Sequence, residues 1–217
     1  MPLQNRVDPF GALIATPARG LFLGNRGGRF HRDDRTLGRR RWASRQWICC
    51  VLRFKGRRHP VWRDRYTALF FLDEPTALAA GHRPCFECRR ADAKAFAEKW
   101  AQAKGGAVPR APAMDLMLQS ERLDGREKRT HDRAFDDLPD GTFVTLNDVA
   151  HAVRGSQLLR WSDSGYTEKI ARPRGVATLL TPPSIVDVLS AGYQPQWHPS
   201  ADLTPSSRGT REAGLEG

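Results

Sequence analysis

Leu69-Phe-Phe-Leu-Asp-Glu-Pro-Thr-Ala-Leu-Ala-Ala-Gly-His-Arg-Pro-Cys-Phe-Glu-Cys-Arg-Arg90 is the stretch on which the reading of this chain turns. Tyr66 to Leu72 is aromatic and apolar, and reads as a strand. Asp73 supplies an N-cap carboxylate, Glu74 suits the positive end of a helix, and Pro75 fits its first turn. Ala77 to Ala80 propagate that helix and Gly81 ends it. Pro84 stiffens the entry to Cys85-Phe86-Glu87-Cys88. Ala91 to Ala103 reads as a second helix, with Ala93, Phe96, Ala97 and Trp100 on one face.

Two residues between cysteines at a turn let both sulfurs meet one tetrahedral ion, so Cys85 and Cys88 form a zinc half-site. Cys88 also precedes a predicted helix, whose N-terminus favours thiolate. A redox pair and two unmetallated thiols are the other readings of the same spacing.

Upstream lies the charge. Of 217 residues with a formal net charge of +11, the block from Arg26 to Arg65 carries 14 Lys/Arg against 3 Asp, and the rest of the chain balances. A field that local attracts a polyanion, whether nucleic acid, an acidic protein or an anionic membrane surface. A solvated arginine-rich face is the plainer reading. Asn25-Arg-Gly-Gly-Arg-Phe-His31 follows a short strand at Leu21 to Leu23. Its glycines suit positive φ, so the turn reads as an anion nest flanked by Arg26 and Arg29, or as an ordinary hairpin turn. Arg39, Arg40, Arg41 and Arg45 alternate with Trp42 and Trp47, a mixture that clamps phosphates and stacks bases, or that merely borders a core. Gln46 to Phe54 reads as a strand. Alternation sends Ile48, Cys50, Leu52 and Phe54 to one face and Trp47, Cys49, Val51 and Arg53 to the other. Adjacent cysteines therefore point apart, and Cys50 sits on an apolar face where a core cysteine is expected.

Phe70-Phe71 followed by Thr76-Ala-Leu-Ala-Ala-Gly-His-Arg-Pro-Cys-Phe-Glu-Cys-Arg89 resembles the second half of the metal-binding domain of Ada-type methylphosphotriester-DNA repair proteins, over about residues 66–92. The resemblance implies that Cys85 and Cys88 are zinc thiolates and that DNA is the partner. The family's first cysteine pair has no counterpart, because Phe54 to Pro60 contains no cysteine. The remaining ligands then fall to Cys50 or Cys49, with His59 or His82; His59 lies close to the place of the family's second cysteine. One member of that first pair accepts the methyl group in the family, so methyl-accepting repair is not carried over to this chain.

Gly105 to Pro112 reads as a linker. Ala113 to Leu123 carries Met114, Met117 and Leu118 at helical spacing, and Glu121 to His131 reads as a solvated, mixed-charge loop. From Leu138 short runs separated by Asp140-Gly141, Asn147-Asp148 and Gly155-Ser156 argue an antiparallel meander. Val176 to Leu180 adds a strand, and Pro182 to Leu189 a short helix. No apolar run approaches the roughly 20 residues of a membrane span, and the first residues lack a signal-peptide core.

The expected architecture is α+β: a small zinc-knuckle β-α unit followed by an antiparallel β-meander with a few short helices. Its expected parts are a basic metal-binding region at 1–104, a linker and charged helical segment at 105–137, the meander at 138–200 and a disordered tail at 201–217. The expected function is a cytoplasmic zinc-binding protein that holds nucleic acid, DNA in the first instance, mainly through phosphates. Metal ligands are Cys50, His59, Cys85 and Cys88. Phosphate contacts come from Arg26 and Arg29 at the glycine turn, from the Arg39 to Arg45 run, and from Arg83, Arg89 and Arg90 around the knuckle. The alternative is a metal-dependent hydrolase or nuclease on a phosphorylated substrate, using the Asn25 to His31 turn with His31 or Glu121 and His131 as acid and base.

Overall fold

A computed structural model describes residues 1–58, 61–63 and 65–202. The quoted stretch forms β7 (Leu69–Phe71), α1 (Glu74–Ala79) and β8 (Arg83–Pro84). Asp73 caps α1, with its carboxylate accepting from the Thr76 N–H at 3.0 Å and hydroxyl at 2.7 Å. Gly81 ends it at φ +80°, where a side chain would be strained. A Cβ there would also lie 2.6 Å from Arg122 Cδ, so the glycine serves a close approach as well as a turn.

Every residue of α1 is buried. Ala77 and Ala80 enter the core of a first sheet, Ala79 that of a second sheet, and Leu78 that of a helical layer. Small side chains are what let three layers close on one helix. Deleting Leu78 to Ala in such a place costs about 2–5 kcal/mol.

The first sheet collects β1 (Gln4–Val7), β2 (Leu13–Ala15), β3 (Phe22–Arg26), β4 (Trp47–Val51), β7 and β8 in the order β2-β1-β7-β3-β4-β8. The pairs β1–β7 and β4–β8 are parallel and the others antiparallel. The strand expected over Gln46 to Phe54 stops at Val51. Arg53–Phe54 (β5) instead pairs with Arg57–Arg58 (β6), because Lys55 and Gly56 both take positive φ and turn the chain within two residues.

α2 (Arg90–Lys104), α3 (Ala111–Arg122) and α4 (Pro183–Ser190) make the helical layer, with Phe96, Trp100, Met114, Leu118, Ile185 and Val188 in one core. The segment expected as a solvated loop after α3 is ordered instead. Glu121 accepts from the N–H and hydroxyl of Ser184 at 2.9 and 2.6 Å, so it caps α4, while Arg122 is 1% exposed. β9 (Leu123–Asp124) and β10 (Glu127–Lys128) form a hairpin beyond it.

The second sheet is wholly antiparallel, in the order β11-β16-β12-β13-β14-β15, from β11 (His131–Ala134), β12 (Phe143–Leu146), β13 (Val149–Arg154), β14 (Gln157–Ser162), β15 (Gly165–Ala171) and β16 (Val176–Leu179). The α+β class and the antiparallel run β12 to β14 stand as read, while β15 and β11 were not expected as strands. Ala201 and Asp202 finish a 3-10 turn from Pro199, and the rest of the expected tail lies outside the described residues. Among the described residues no helix is long and apolar enough to cross a membrane.

Candidate metal centre and its basic surroundings

The parallel pairing of β4 with β8 sets the site. Cys49 stands opposite Pro84, and the Cys85 N–H donates to the Cys49 carbonyl at 3.0 Å. The knuckle is thereby pinned beside the next residue of β4, Cys50. Cys50, Cys85 and Cys88 place their sulfurs within 4.8 Å of one another, a cluster able to hold a metal ion. Cys50 and Cys85 are buried and Cys88 is half-buried. The cluster is walled by Leu23, Trp62 and Ala68, with Tyr66 and Phe70 at its side.

The three thiols are hydrogen-bonded to one another. Hydrogen bonds from Cys50 and Cys88 hold the Cys85 thiol far below its usual range, helped by the N–H groups of Cys88 and Glu87. The Glu87 N–H lies 3.4 Å from Cys85 Sγ. Donation to Cys85 and Cys88, together with burial, drives Cys50 far upward. Burial first, then the nearby Cys50 and Cys88, push the Tyr66 phenol up to about 12. A thiolate ringed by donors is the arrangement that a soft cation takes over by displacing the protons.

Alternation on β4 correctly separates the adjacent cysteines, and Cys50 is a buried core residue as expected, in the same cluster as Cys85. Cys49 points into the other core, where burial raises its thiol and its sulfur accepts from Arg89 Nη1 at 3.4 Å. His82 is removed from the ligand candidates: it is fully buried between Trp47 and Phe71, and its Nε2 accepts from Arg26 Nε at 3.3 Å. His59 lies outside the described residues.

The nine arginines part company. Arg39, Arg40, Arg45 and Arg90 are exposed, and Arg29 and Arg41 half-buried. Arg83 and Arg89 are corrections, because both are buried in ion pairs. Arg83 meets both Asp115 oxygens at 2.9 and 2.8 Å, while Arg89 meets Glu74 and Asp92 at 2.8 Å each. Neither faces solvent as a phosphate contact. Arg26 is also buried, on the far side of β4 from the knuckle, against Trp47.

The glycine turn is an ordinary one. Gly27 donates to Asn25 Oδ1 at 3.0 Å, and a Cβ on Gly27 would run into the Ser44 side chain. His31 is bound through Nδ1 to Thr67 Oγ1 at 2.9 Å and stacks on Trp62. His131 contacts the Glu121 carbonyl oxygen at 2.8 Å, and the Glu121 carboxylate is taken by Ser184. These candidates for acid and base are thus engaged in holding the fold.

Sequence reasoning passed over Arg122 and Lys128, which join Arg26 beside Trp47. A signal existed. Met114, Leu118 and Arg122 are four residues apart, so the arginine continues the buried stripe of α3. No protein-family model, curated protein or solved structure matches this chain.

Proposed function

We propose that this chain is a zinc-binding, basic protein of the cytoplasm that holds nucleic acid, DNA in the first instance, through its phosphates. In this reading the metal is structural. Cys50, Cys85 and Cys88 hold it, and His59 is the candidate for a fourth position in a tetrahedral shell. The observation that carries the reading is the convergence of Cys50 with the Cys85–Cys88 knuckle within 4.8 Å. Thiolates favour zinc over harder ions. The resemblance of residues 66–92 to the Ada-type knuckle points the same way, without a methyl-accepting cysteine.

The phosphate contacts belong to the exposed Arg39, Arg40 and Arg45 and the half-buried Arg29 and Arg41, all in the block that carries the net charge, and to the exposed Arg90 after the knuckle. Binding of this kind falls steeply with salt, because neutralised phosphates release counterions.

Two measurements test the two halves separately. Metal content of the purified protein should be one zinc per chain, lost in Cys85→Ser and in Cys50→Ser; zinc near zero in the wild type sinks the metal half. Affinity for a duplex and a single strand should fall with rising salt on a log–log line. A flat response, or no binding at low salt, sinks the nucleic-acid half whatever the zinc result.

A further inference from the structure

Arg26 on β3 is 2% exposed and Arg122 at the end of α3 is 1% exposed. Both guanidinium carbons lie 3.9 Å from the Trp47 ring centroid, so one buried indole faces two cations. They line a cavity of about 390 Å³ with Lys128, Arg41, Arg126 and Trp42, and with one carboxylate, Glu127.

The hydrogen-bond partners of these cations are all neutral. Arg26 donates to His82 Nε2 at 3.3 Å and to the Gly11 carbonyl at 2.9 Å. Arg122 donates to the carbonyls of Gly81 at 2.9 Å and Arg45 at 2.7 Å, and to Gln119 Oε1 at 2.5 Å. Lys128 Nζ donates to the Ala79 carbonyl at 2.6 Å. Among the described residues none of the three forms an ion pair with a carboxylate. A guanidinium carries five donors and an ammonium three, so donors are left over. One of them, Arg122 Nε, is buried without a partner. Asp8 attracts Arg26 and Lys128, but its Oδ1 is bound by the Ala12 N–H at 2.8 Å and burial raises its own pKa.

Asp8 and Asp115 offset these charges without pairing with them. Burying like charges together without a paired counter-ion is expensive, and the arrangement makes sense when an anion completes it. We propose that this cavity binds a phosphate oxyanion between Arg26, Arg122 and Lys128, with the group attached to it passing Trp42. The cavity lies in the range of small-ligand sites, about 300–1,000 Å³, so it has room for more than the oxyanion. Arg41, Trp42 and Arg126 also line an adjoining cleft with Arg39 and Arg40, which gives the attached group a cationic exit. The same chemistry is offered by a free nucleotide and by the terminal phosphate of a nucleic-acid strand. The site stands apart from the metal centre and does not depend on it.

The test is calorimetric titration of the intact protein at fixed ionic strength with inorganic phosphate, adenosine 5′-monophosphate and adenosine. Phosphate and the monophosphate should bind saturably and adenosine should not. Lys128→Gln keeps a donor for Ala79 but removes the charge, and should weaken both anions about tenfold or more. Arg122→Gln should weaken them further, with circular dichroism checking that the chain remains folded. Arg110→Gln, an exposed arginine at the opposite end of α3 from Arg122, should change nothing. No saturable phosphate binding in the wild type overturns the proposal, as does equal affinity in wild type and Lys128→Gln. A 5′-phosphorylated oligonucleotide separates the sources. If it weakens in Lys128→Gln by the same factor as phosphate, the strand end enters the cavity; if only the small anions respond, the ligand is a free one.

Discussion

Arg89 and Arg122 are almost equally buried, at 4% and 1% exposure, yet they keep opposite company. Arg89 meets two carboxylates, Glu74 and Asp92, and Glu74 is further bound by the Tyr193 hydroxyl at 2.7 Å and the Gln196 N–H at 2.9 Å. Arg122 meets carbonyls, an amide and an indole, beside two other cations. Where charge is matched, the arginine works as a fastener between layers. Where it is unmatched, the fold stores an electrostatic demand that an outside anion can meet.

The contrast is tested first where the effect is largest. Glu74→Ala takes from the Arg89 guanidinium its fully buried partner and leaves it only the partly exposed Asp92, and should lower unfolding free energy by about 3–5 kcal/mol in urea titration. A loss under about 1 kcal/mol would break the comparison on its matched side. Lys128→Met should act with the opposite sign, stabilising by about 1–4 kcal/mol in phosphate-free buffer near pH 6.

That stabilisation should fade with pH. Burial pushes the Lys128 ammonium down to about 7, with Arg26 and Arg122 adding repulsion and Asp8 opposing it. An unfolded lysine titrates near 10.4. The charged form is thus penalised only in the folded state; the penalty is full below pH 7 and disappears as pH climbs towards 10. Wild-type stability should therefore gain on Lys128→Met between pH 7 and 9. Phosphate should reverse the order of the two at pH 6. A difference that stays constant across this window would remove Lys128 from the cationic set.

The smallest effects belong to the exposed run. Arg39→Ala and Arg40→Ala should each change stability by less than about 0.5 kcal/mol. On the proposed reading each should also reduce the salt slope of duplex binding by about 0.9. A stability loss above about 1 kcal/mol would show that these residues hold the fold.

Local chemistry was legible in the sequence and pairing across distance was not. Asp73 as cap, Gly81 as stop and the α2 face of Phe96 and Trp100 depend on neighbours within four residues, so a short window contains their causes. Cys50 was a candidate ligand because the resemblance calls for ligands beyond the knuckle, while the strand pattern by itself placed it on an apolar face. Its meeting with Cys85 depends on β8 lying parallel to β4, which no local pattern dictates. Glu74 was read from its place at a helix start, but its partners are Arg89, Tyr193 and Gln196. Arg83 and Arg89 were read as surface charge because the acids that bury them, Asp115 and Glu74, lie on separate helices in the chain. A basic count reports charge without reporting whether an acid sits beside it.

The same α1 carboxylates have a consequence for the order of synthesis. Asp73 and Glu74 leave the ribosome early, yet Asp73 waits for the Tyr166 hydroxyl and the His198 N–H, and Glu74 for Tyr193 and Gln196. Until residue 198 has emerged, a helix that ends fully buried carries two acids without their late partners. A nascent chain stalled near residue 150 should therefore be more open to protease around α1 than one stalled well past 198. The last strand of contacts, made after more than a hundred further residues have been joined, is what locks the first.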